Sequence, residues 1–497
     1  MSFKNYIIAD FGASNGRVSV GSFDGKKFHI KEVHRFENMP VYAAGNLYWD
    51  ILNMYANLKN GMHSAINNFQ KIESVGIDTW GIDFAFIDRN GKLISNPGSY
   101  RDEKRWNITN ELYEVIPKKE LYFKTGAITI PVASIYHFFY LKKTKATELI
   151  NAWKFLMMTD IFNYFLTGEI FNEFTSTTIT LMYDQKKRDW DNDILNKLEI
   201  PSNIFPKTLM PGTQIGNIQK SVCKEMGISP FLVVAPCTHD TPGAIAGIPV
   251  VKEKRNWAFV PIGTWSVTGI ETEDLIISEE GMDQGYYNEG GVDGINIFTK
   301  NITALWLIQQ CRKKWLNEIK NNLTWDDIDN MALTATELKS FINVDDPLFS
   351  QPQADMPRII SQYCKDNGQE FPVNPAEVAR CVLESLAFRI KYDLEILELL
   401  TDKKIEIIYI IGGGVRNKVL CQFISDATGL PVTAGPAESS TAGNLLMQLK
   451  ATGEIKSLEE GRQLSLNSSE IFYYEPKNKN KWDYKYKDYL KVIKKNM

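Results

Sequence analysis

The sequence contains no long hydrophobic run. None of its 497 residues lies in a stretch of roughly 18 to 20 uninterrupted apolar residues, which a membrane-spanning helix requires. The first apolar run begins at Tyr6, is too short for the hydrophobic region of a secretion signal, and is followed at once by Asp10. We therefore expect a cytoplasmic protein with no membrane span and no export signal.

Cysteine is also scarce, with six residues scattered along the chain. No two of them form a C-x-x-C pair and none has a histidine at the spacing of a zinc ligand, so we expect no zinc site. Reduced thiols are the expectation for a cytoplasmic protein. Cys364 and Cys381 could bond to each other only if the fold brought them close together.

Neither sign of charge predominates, since 56 Lys and Arg residues oppose 60 Asp and Glu residues and the formal net charge is −4. This balance gives no electrostatic reason to expect nucleic acid or an anionic membrane as a partner. A small molecule fits better. The length of 497 residues with 44% hydrophobic content predicts two or three domains. We expect a monomer or a homodimer.

Several common catalytic motifs are missing as well. The chain has no Walker A loop, no H-E-x-x-H, no G-x-S-x-G and no G-x-G-x-x-G. Both halves instead contain glycine-bearing turns, with Ser or Thr hydroxyls, that follow apolar runs. Such turns can bind phosphate oxygens, because glycine permits a close approach of the backbone and the amides point at the anion.

A similar pattern opens each half of the chain. Residues 6–23 form an apolar run, a polar turn with glycine and a second apolar run, and residues 257–270 repeat this order. Two halves that begin in the same way predict a duplicated α/β domain with a cleft between the copies. We place the boundary after residue 245, which gives domains of residues 1–245 and 246–497.

Hydrophobic periodicity predicts the longer elements. Apolar residues at helical spacing indicate helices over residues 49–69, 151–166 and 375–400. The apolar run 405–411 is typical of a buried strand. The tail 475–497 is rich in Lys, Asn and Tyr and is predicted to be a surface helix.

Asp10 follows the first apolar run and precedes Gly12, which would place its carboxylate at a strand end beside a turn. That position suits a magnesium ion bridging phosphates, because magnesium takes one or two carboxylates together with water and phosphate oxygens. The alternative is an acid that caps its own turn. Arg17 begins the returning strand, either as a phosphate clamp or as an exposed strand charge.

Residues 236–242, Pro-Cys-Thr-His-Asp-Thr-Pro, follow an apolar run at the place where open α/β sheets bind ligands. Asp240 could orient an alcohol and accept its proton late, as phosphoryl transfer requires. Alternatively, His239 and Asp240 cap their loop by bonding to local amides. No Ser or Cys partner for His239 is indicated, so a hydrolytic triad is not expected.

Residues 77–84, Ile-Asp-Thr-Trp-Gly-Ile-Asp-Phe, place two acids, a tryptophan and a glycine at a predicted strand end. Carbohydrate sites use an aromatic wall with carboxylates for the hydroxyls, whereas the alternative is a buried tryptophan with turn acids. Residues 288–291, and 300–301 before a predicted helix over 302–310, allow a ligand-facing turn or a structural loop. Residues 100–102 fit a surface loop or a cleft position.

Taken together, these segments resemble the FGGY family of carbohydrate kinases, whose fold has two duplicated actin-like (ribonuclease H-like) lobes with the active site in the cleft between them. The resemblance spans nearly the whole chain in order, through residues 10–17, 76–84, 100–102, 239–241, 263–266, 288–291, 300–302, 412–417 and 434–441. Two positions depart from the family pattern: Lys104-Arg105 replaces the usual Arg-Thr, and Pro242 stands where a small residue is common.

The resemblance implies an ATP- and Mg²⁺-dependent kinase of a small ketose. The N-terminal lobe would bind the sugar and the C-terminal lobe would bind ATP. It implies that Asp240 is the proton acceptor; the ATP contacts would be Ala13, Ser14, Asn15, Gly16, Arg17, Thr264, Gln309 and Gly413. The sugar contacts would be Gly81, His239, Asp240, Thr241 and Asn301. The metal would lie at Asp10.

The segment 78–84 further implies L-rhamnulose as the ketose and its 1-phosphate as the product. A kinase of L-fuculose or of a pentulose is the nearest alternative. An ATP- and sugar-binding module of the same fold, without transfer activity, is the alternative from a different class.

Overall fold

The computed structural model describes residues 3–250, 255–319 and 322–494. Their contacts divide the chain into two compact units. Unit 1 comprises the described residues of Met1–Val251, Glu271–Phe298 and Ser439–Ser468; unit 2 comprises those of Lys252–Ile270, Thr299–Glu438 and Ser469–Met497. The predicted boundary after residue 245 stays a prediction, and the contact-based division differs from it because two later segments pack with unit 1.

The strands of the described residues are, in chain order, β1 (Lys4–Phe11), β2 (Asn15–Phe23), β3 (Phe28–Glu37), β4 (Val41–Ala43), β5 (Asn46–Tyr48), β6 (Ile72–Thr79), β7 (Phe84–Ile87), β8 (Lys154–Met157), β9 (Asn172–Glu173), β10 (Tyr183–Asp184), β11 (Asp189–Trp190), β12 (Thr208–Leu209), β13 (Thr213–Asn217), β14 (Leu232–Ala235), β15 (Trp257–Pro261), β16 (Trp265–Thr272), β17 (Tyr287–Gly290), β18 (Asn296–Thr303), β19 (Ile407–Ile411), β20 (Val432–Ala434) and β21 (Phe472–Tyr474).

The α-helices are α1 (Ile51–Asn68), α2 (Lys104–Asn107), α3 (Thr109–Val115), α4 (Lys118–Thr125), α5 (Ser134–Lys143), α6 (Thr147–Ile150), α7 (Met158–Thr167), α8 (Phe174–Thr178), α9 (Asn192–Lys197), α10 (Lys220–Met226), α11 (Asp240–Ala246), α12 (Glu279–Asp283), α13 (Trp306–Glu318), α14 (Trp325–Thr334), α15 (Met356–Asp366), α16 (Pro375–Thr401), α17 (Lys418–Thr428), α18 (Ser439–Ala451), α19 (Leu458–Ser468) and α20 (Lys479–Lys494). Short 3-10 helices lie at Ser202–Ile204, Val292–Gly294, Pro347–Phe349 and Gly413–Arg416.

Unit 1 contains a six-stranded sheet in the order β13-β14-β6-β1-β2-β3. β1 pairs antiparallel with β2 and parallel with β6, and β6 pairs parallel with β14. Parallel strands bring their carboxyl ends to one edge of the sheet, where open α/β sheets bind ligands. Asp10 and Asp78 are register partners at this edge, and Thr79 bridges to His239 in the segment after β14.

Helices cover both faces of this sheet. On β1, Ile7 and Ala9 belong to a core that includes buried residues of α1, whereas Tyr6 and Ile8 pack in a second core with α18. The alternation follows from strand geometry, in which successive side chains point to opposite faces. The near-continuous apolar run of β1 is therefore explained by burial on both sides.

The helix α18 also fixes the start of the helix that carries Asp240. A Cβ atom at Gly443 on α18 would lie 1.8 Å from the carbonyl oxygen of Gly243 on α11. Only glycine permits two helix backbones to approach this closely. The crossing therefore sets the position of α11, and with it the position of Asp240 at the sheet edge.

Unit 2 is built in a similar way. Its strands have the order β18-β16-β15-β19-β20-β21. Of β16 only residues 265–270, and of β18 only residues 299–303, belong to this unit. β15 pairs antiparallel with β16 and parallel with β19, β19 pairs parallel with β20, and β20 pairs antiparallel with β21. The same succession of pairings surrounds β1 in unit 1. The predicted duplicated α/β class is confirmed.

Three of the predicted elements are confirmed with small differences at their ends. Helix α1 occupies most of residues 49–69, α16 occupies residues 375–400, and β19 is the buried strand expected within 405–411. In these segments the apolar pattern is long and unbroken, so local sequence determines the element.

Other expectations were wrong in part. The predicted helix over 151–166 begins as strand β8, because residues 154–157 pair antiparallel with β7. Residues 288–291 lie largely in strand β17 rather than in a turn, and α13 starts four residues later than the helix predicted from 302. The C-terminal helix α20 buries Trp482, Tyr486 and Tyr489, so it is not only a surface helix; residues 495–497 lie outside the described residues.

Within residues 3–250, 255–319 and 322–494, none of the helices combines the length and the apolar character that crossing a membrane would require.

Candidate active site

Three carboxylates belong to the carboxyl edge of the sheet in unit 1. Asp10 is the penultimate residue of β1, Asp78 lies beside it on β6, and Asp240 begins α11 after β14. Their charges influence one another: besides burial, the charges of Asp10 and Asp240 raise the pKa of Asp78 well above its usual range. A group of acids at this edge would attract a cation or a proton donor.

Asp10 is held by three neighbours through one oxygen. Its Oδ2 accepts hydrogen bonds from Arg17 Nη2 at 2.8 Å, Ser440 Oγ at 2.8 Å and Thr441 Oγ1 at 3.2 Å. The other oxygen, Oδ1, receives no hydrogen bond from the residues that the structure describes. Arg17 therefore pairs with Asp10 and is not a freely exposed strand charge. The carboxylate is fixed in orientation with one oxygen left for a further partner.

Asp78 is the most buried acid of this group. Its Oδ2 accepts a hydrogen bond of 2.5 Å from Asn444 Nδ2 on α18, while Oδ1 is buried without a hydrogen-bond partner among the described residues. Burial is the first cause of its raised pKa. A protonated Asp78 would relieve the repulsion from neighbouring acids at this edge.

Asp240 is more accessible, with 37% of its side-chain surface exposed. The burial of its surroundings and the charge of Asp10 raise its pKa, whereas the neighbouring His239 and the hydroxyl of Thr241 act in the opposite direction. Thr241 Oγ1 lies 3.3 Å from Asp240 Oδ1. Asp240 thus has the accessible carboxylate that a general base requires, in surroundings that strengthen its basicity.

His239 lies between two carboxylates. Its Nε2 is 3.5 Å from Asp240 Oδ1 and its Nδ1 is 3.4 Å from Glu289 Oε2 on β17. Burial opposes the charged ring, but the charges of Glu289 and Asp240 outweigh it and raise the pKa of His239. The sequence pattern places Glu289 in a predicted turn over 288–291 and gives no sign of its contact with His239, so this contact was missed.

Glu173 holds the loop that precedes His239. This fully buried carboxylate accepts hydrogen bonds from the backbone N–H of Thr238 at 3.0 Å, from Thr238 Oγ1 at 2.7 Å and from the backbone N–H of Thr175. Thr175 Oγ1 in turn accepts a bond from the N–H of His239. Sequence reasoning missed Glu173, because 65 residues separate it from Thr238 and no local pattern marks the contact.

Gly81 lies directly against His239. Its φ angle is +77°, and a Cβ atom there would lie 2.7 Å from Ile179 Cδ1 and 3.1 Å from His239 Cδ2. A positive φ combined with this crowding requires glycine. The predicted sugar contacts Gly81, His239, Asp240 and Thr241 are thus brought together in unit 1. Their role in binding sugar stays a prediction.

The second acid of the segment 77–84 has a different position. Asp83 is fully buried, accepts hydrogen bonds from the indole N–H groups of Trp49 and Trp80 at 2.6 and 3.0 Å, and forms a 2.9 Å ion pair with Arg105. For Asp83, the structure agrees with the second interpretation of this segment, which was a buried tryptophan with a turn acid. Arg105, which belongs to one of the two departures from the family pattern, is the buried ion-pair partner of this acid.

The segment 100–102 is only partly a surface loop. The guanidinium of Arg101 lies over the rings of Trp49 and Tyr100, at 5.8 and 5.5 Å from their centroids. Asp102 accepts a hydrogen bond from the backbone N–H of Leu47. These contacts give the segment a structural role beside the Asp83 cluster.

The turn that follows Asp10 contains the predicted phosphate contacts Ala13, Ser14, Asn15 and Gly16. Its closing hydrogen bond runs from the N–H of Gly12 to the carbonyl of Asn15 at 2.9 Å. Ser14 and Asn15 are exposed, and the ring of Phe36 packs against Gly16 so closely that no Cβ atom would fit there. The contact of these residues with ATP stays a prediction.

Unit 2 brings two of its predicted ATP contacts together. Thr264 Oγ1 and the side-chain amide of Gln309 lie 3.2 to 3.3 Å apart, and the carbonyl of Thr264 accepts a bond from the N–H of Trp306 at the start of α13. Gly413 follows β19 and has open space where a Cβ atom would stand. Asn301 is exposed on β18. All four assignments stay predictions.

The six cysteines form no disulfide bond in the structure. All six thiols are buried. Cys364 Sγ lies 3.9 Å from Cys381 Sγ, which is the distance of a thiol contact and not of a disulfide. In the described part of the chain, no cluster of three or more His, Cys, Asp or Glu side chains is arranged to hold a metal ion.

The fold is similar to that of solved sugar kinases. A ligand-bound xylulose kinase from Lactobacillus acidophilus superposes with a TM-score of 0.83 at 16% identity, covering 99% of this chain and 98% of the other. A glycerol kinase from Plasmodium falciparum with ADP gives a TM-score of 0.79 at 17% identity, covering 99% and 98%. At these identities the likeness concerns the fold alone.

Sequence comparison gives closer relatives. Rhamnulokinases from Bacteroides thetaiotaomicron and Oceanobacillus iheyensis are 33% and 34% identical to this chain, over 97% and 94% of it and over 98% and 97% of their own lengths. Family models match in two consecutive parts: the N-terminal domain of the FGGY family of carbohydrate kinases at residues 5–247, and its C-terminal domain at residues 258–452. The chain belongs to the FGGY family of carbohydrate kinases.

Proposed function

We propose that this kinase transfers the γ-phosphoryl group of ATP to O1 of L-rhamnulose and releases L-rhamnulose 1-phosphate and ADP, with Asp240 as the general base. The observation that carries the chemistry is the accessible carboxylate of Asp240 at the sheet edge, beside His239. The choice of sugar is supported by relatives of nearly equal length that are named rhamnulokinase.

The proton transfer follows from the surroundings of Asp240. In phosphoryl transfer the attacking hydroxyl loses its proton late, so the base chiefly orients the oxygen and accepts the proton as the new bond forms. Burial and the charge of Asp10 favour the protonated acid, which suits a group that must gain a proton. The contact with His239 keeps the carboxylate available before the reaction.

The sugar would bind in unit 1 against Gly81, His239 and Thr241. Thr241 offers a hydroxyl beside the carboxylate of Asp240 and could hydrogen-bond a hydroxyl next to the reacting one. His239 would line the sugar with its ring, because its two nitrogens face Asp240 and Glu289. The missing side chain at Gly81 leaves this surface open, since a Cβ atom would crowd His239. Asn301 is the proposed sugar contact from unit 2.

The phosphates of ATP would be bound by backbone N–H groups of the turn Ala13–Gly16 and by Arg17. In unit 2, Thr264, Gln309 and Gly413 are the proposed contacts of the nucleotide. The free oxygen of Asp10, Oδ1, fits a Mg²⁺ ion, which prefers one or two carboxylates with phosphate and water oxygens. When bound, this ion would neutralise charge on the transferring phosphoryl group. Arg17, Ser440 and Thr441 hold the carboxylate in place.

A panel of ketoses tests the substrate. Purified protein is incubated with ATP, Mg²⁺ and L-rhamnulose, L-fuculose, D-xylulose or L-ribulose, and ADP release is measured with a coupled assay. We expect kcat/KM for L-rhamnulose to exceed that of each other ketose by at least about tenfold, since one misplaced hydroxyl in a polar site costs on the order of 1–3 kcal/mol.

A higher kcat/KM for another ketose would reassign the substrate and leave the phosphoryl transfer intact. ATP and sugar binding without ADP release from any ketose would instead indicate a binding module. Xylitol serves as the control, because it lacks the carbonyl group that all four ketoses share.

A further inference from the structure

Glu289 is a buried acid that reaches the proposed base only through another side chain. Its carboxylate is 4% exposed, and Oε2 lies 3.4 Å from His239 Nδ1. The opposite ring nitrogen, Nε2, lies 3.5 Å from Asp240 Oδ1. The imidazole therefore stands between one acid that is closed to solvent and one that is open to it.

The position of Glu289 is fixed by its strand. The N–H of Gly290 donates to Thr178 Oγ1 at 2.9 Å, and the N–H of Asn288 donates to the carbonyl of Gly126 at 2.7 Å. Phe174 packs so closely on Gly290 that a Cβ atom there would lie 2.4 Å from its ring. These contacts hold β17 in place, with the carboxylate of Glu289 beside the ring of His239.

A carboxylate buried this deeply requires a positive partner. The basic side chain beside Glu289 is His239, and the charges of its two flanking acids favour the protonated ring. The other charged or titratable groups that act on His239 and Asp240 include Glu173 before α8, Asp10 on β1, Asp78 on β6 and Tyr100. The cation at this sheet edge is Arg17, and its guanidinium is paired with Asp10.

We propose that Glu289 is a positioning residue for the reaction: it holds His239 as a cation with Nε2–H directed at Asp240, and so fixes the proposed base. This inference rests on the proposed role of Asp240. Glu289 would act through His239, since its own side chain is almost fully buried. The carboxylate acts through charge, and a neutral acceptor in its place would hold the ring without stabilising the cation.

Glu289→Gln separates these two effects, because glutamine keeps the size and one acceptor oxygen but loses the charge. The first readout is the NMR titration of His239 in the free protein, with 13C-labelled histidine; the chain has five histidines, and His239→Gln assigns the signal. We expect the titration midpoint of His239 to fall by at least about one pH unit in Glu289→Gln, as removal of one adjacent charge predicts.

The second readout is kinetic. We expect Glu289→Gln to lower kcat for the ketose about tenfold at neutral pH and to leave KM for ATP unchanged. The deficit relative to the wild type should shrink at acidic pH, where His239 is protonated again. Glu289→Asp, which keeps the charge but is one methylene shorter, should retain more activity than Glu289→Gln. Glu280→Gln, an exposed acid on α12, is the matched control and should behave like the wild type.

The two readouts separate this inference from the proposed function. An unchanged His239 midpoint in folded Glu289→Gln would overturn the inference, whatever the enzyme phosphorylates. Equal losses in Glu289→Asp and Glu289→Gln at every pH would also overturn it, because a purely structural role would then account for the effect. Absence of ketose turnover in the wild type, with a shifted midpoint, would contradict the proposed function but leave the contact of Glu289 with His239 established.

Discussion

Asp240→Asn is expected to lower kcat for L-rhamnulose by roughly 10²- to 10⁴-fold, which corresponds to about 3 to 5 kcal/mol of barrier. Asparagine matches aspartate in size but accepts no proton at neutral pH, and its amide would point an N–H at the neighbouring His239. The hydroxyl would then have to lose its proton to solvent. The measurement is the coupled release of ADP at saturating ATP and ketose.

Binding of ATP should survive this change, because the proposed nucleotide contacts do not include Asp240. Nucleotide affinity is measured separately by calorimetry with a non-hydrolysable ATP analogue. Asp274→Asn, which removes an exposed acid of unit 1, is the control for loss of charge alone. Turnover of Asp240→Asn within about threefold of the wild type would remove Asp240 from its role.

Asp83→Asn is expected to lower the free energy of unfolding by about 3 to 5 kcal/mol, the usual cost of breaking a buried ion pair from one side. Arg105 is 2% exposed and would keep its charge without a counter-ion. The partners of Asp83 are all donors: two indole N–H groups, a guanidinium and the backbone N–H of Tyr100. The amide N–H₂ of asparagine would face at least one of them.

Urea unfolding followed by tryptophan fluorescence measures this loss, and Trp49 and Trp80 of the cluster are two of the eleven tryptophans that contribute to the signal. Glu103→Gln is the control, since it removes an exposed acid two residues before Arg105. Asp83→Leu should be less damaging when combined with Arg105→Met, because an apolar pair of similar volume leaves no buried charge. A midpoint for Asp83→Asn equal to that of the wild type would show that the ion pair contributes nothing to stability.

The sequence predicted the elements whose signal is local. The helix α16 and the strand β19 follow from long apolar patterns, and the placement of Asp10 and Asp240 at the sheet edge follows from acids that come after apolar runs of strand length. The prediction for residues 154–157 was wrong because their apolar side chains fit a helix face equally well. Only the pairing with β7 makes this segment a strand. Pairing partners are not visible in a local pattern.

The residues that hold the site in place were not predictable in the same way. Ser440 donates to Asp10 across 430 positions of sequence, and Asn444 donates to Asp78 across 366. Glu173 and Glu289 likewise act on a loop that is far from them in the chain. Reactive groups are recognisable from their own neighbours in sequence, whereas the groups that orient them depend on the folded contacts.

The most direct test of the account is the identity of the phosphorylated product. The protein is incubated with ATP, Mg²⁺ and L-rhamnulose, and the mixture is observed by proton-coupled ³¹P NMR. C1 is the only primary alcohol of this 6-deoxyketose, so transfer to O1 predicts a phosphomonoester signal split into a triplet by two protons, formed in equal amount to ADP. A doublet, from a phosphate on a CH carbon, or ADP accompanied only by inorganic phosphate would contradict the account.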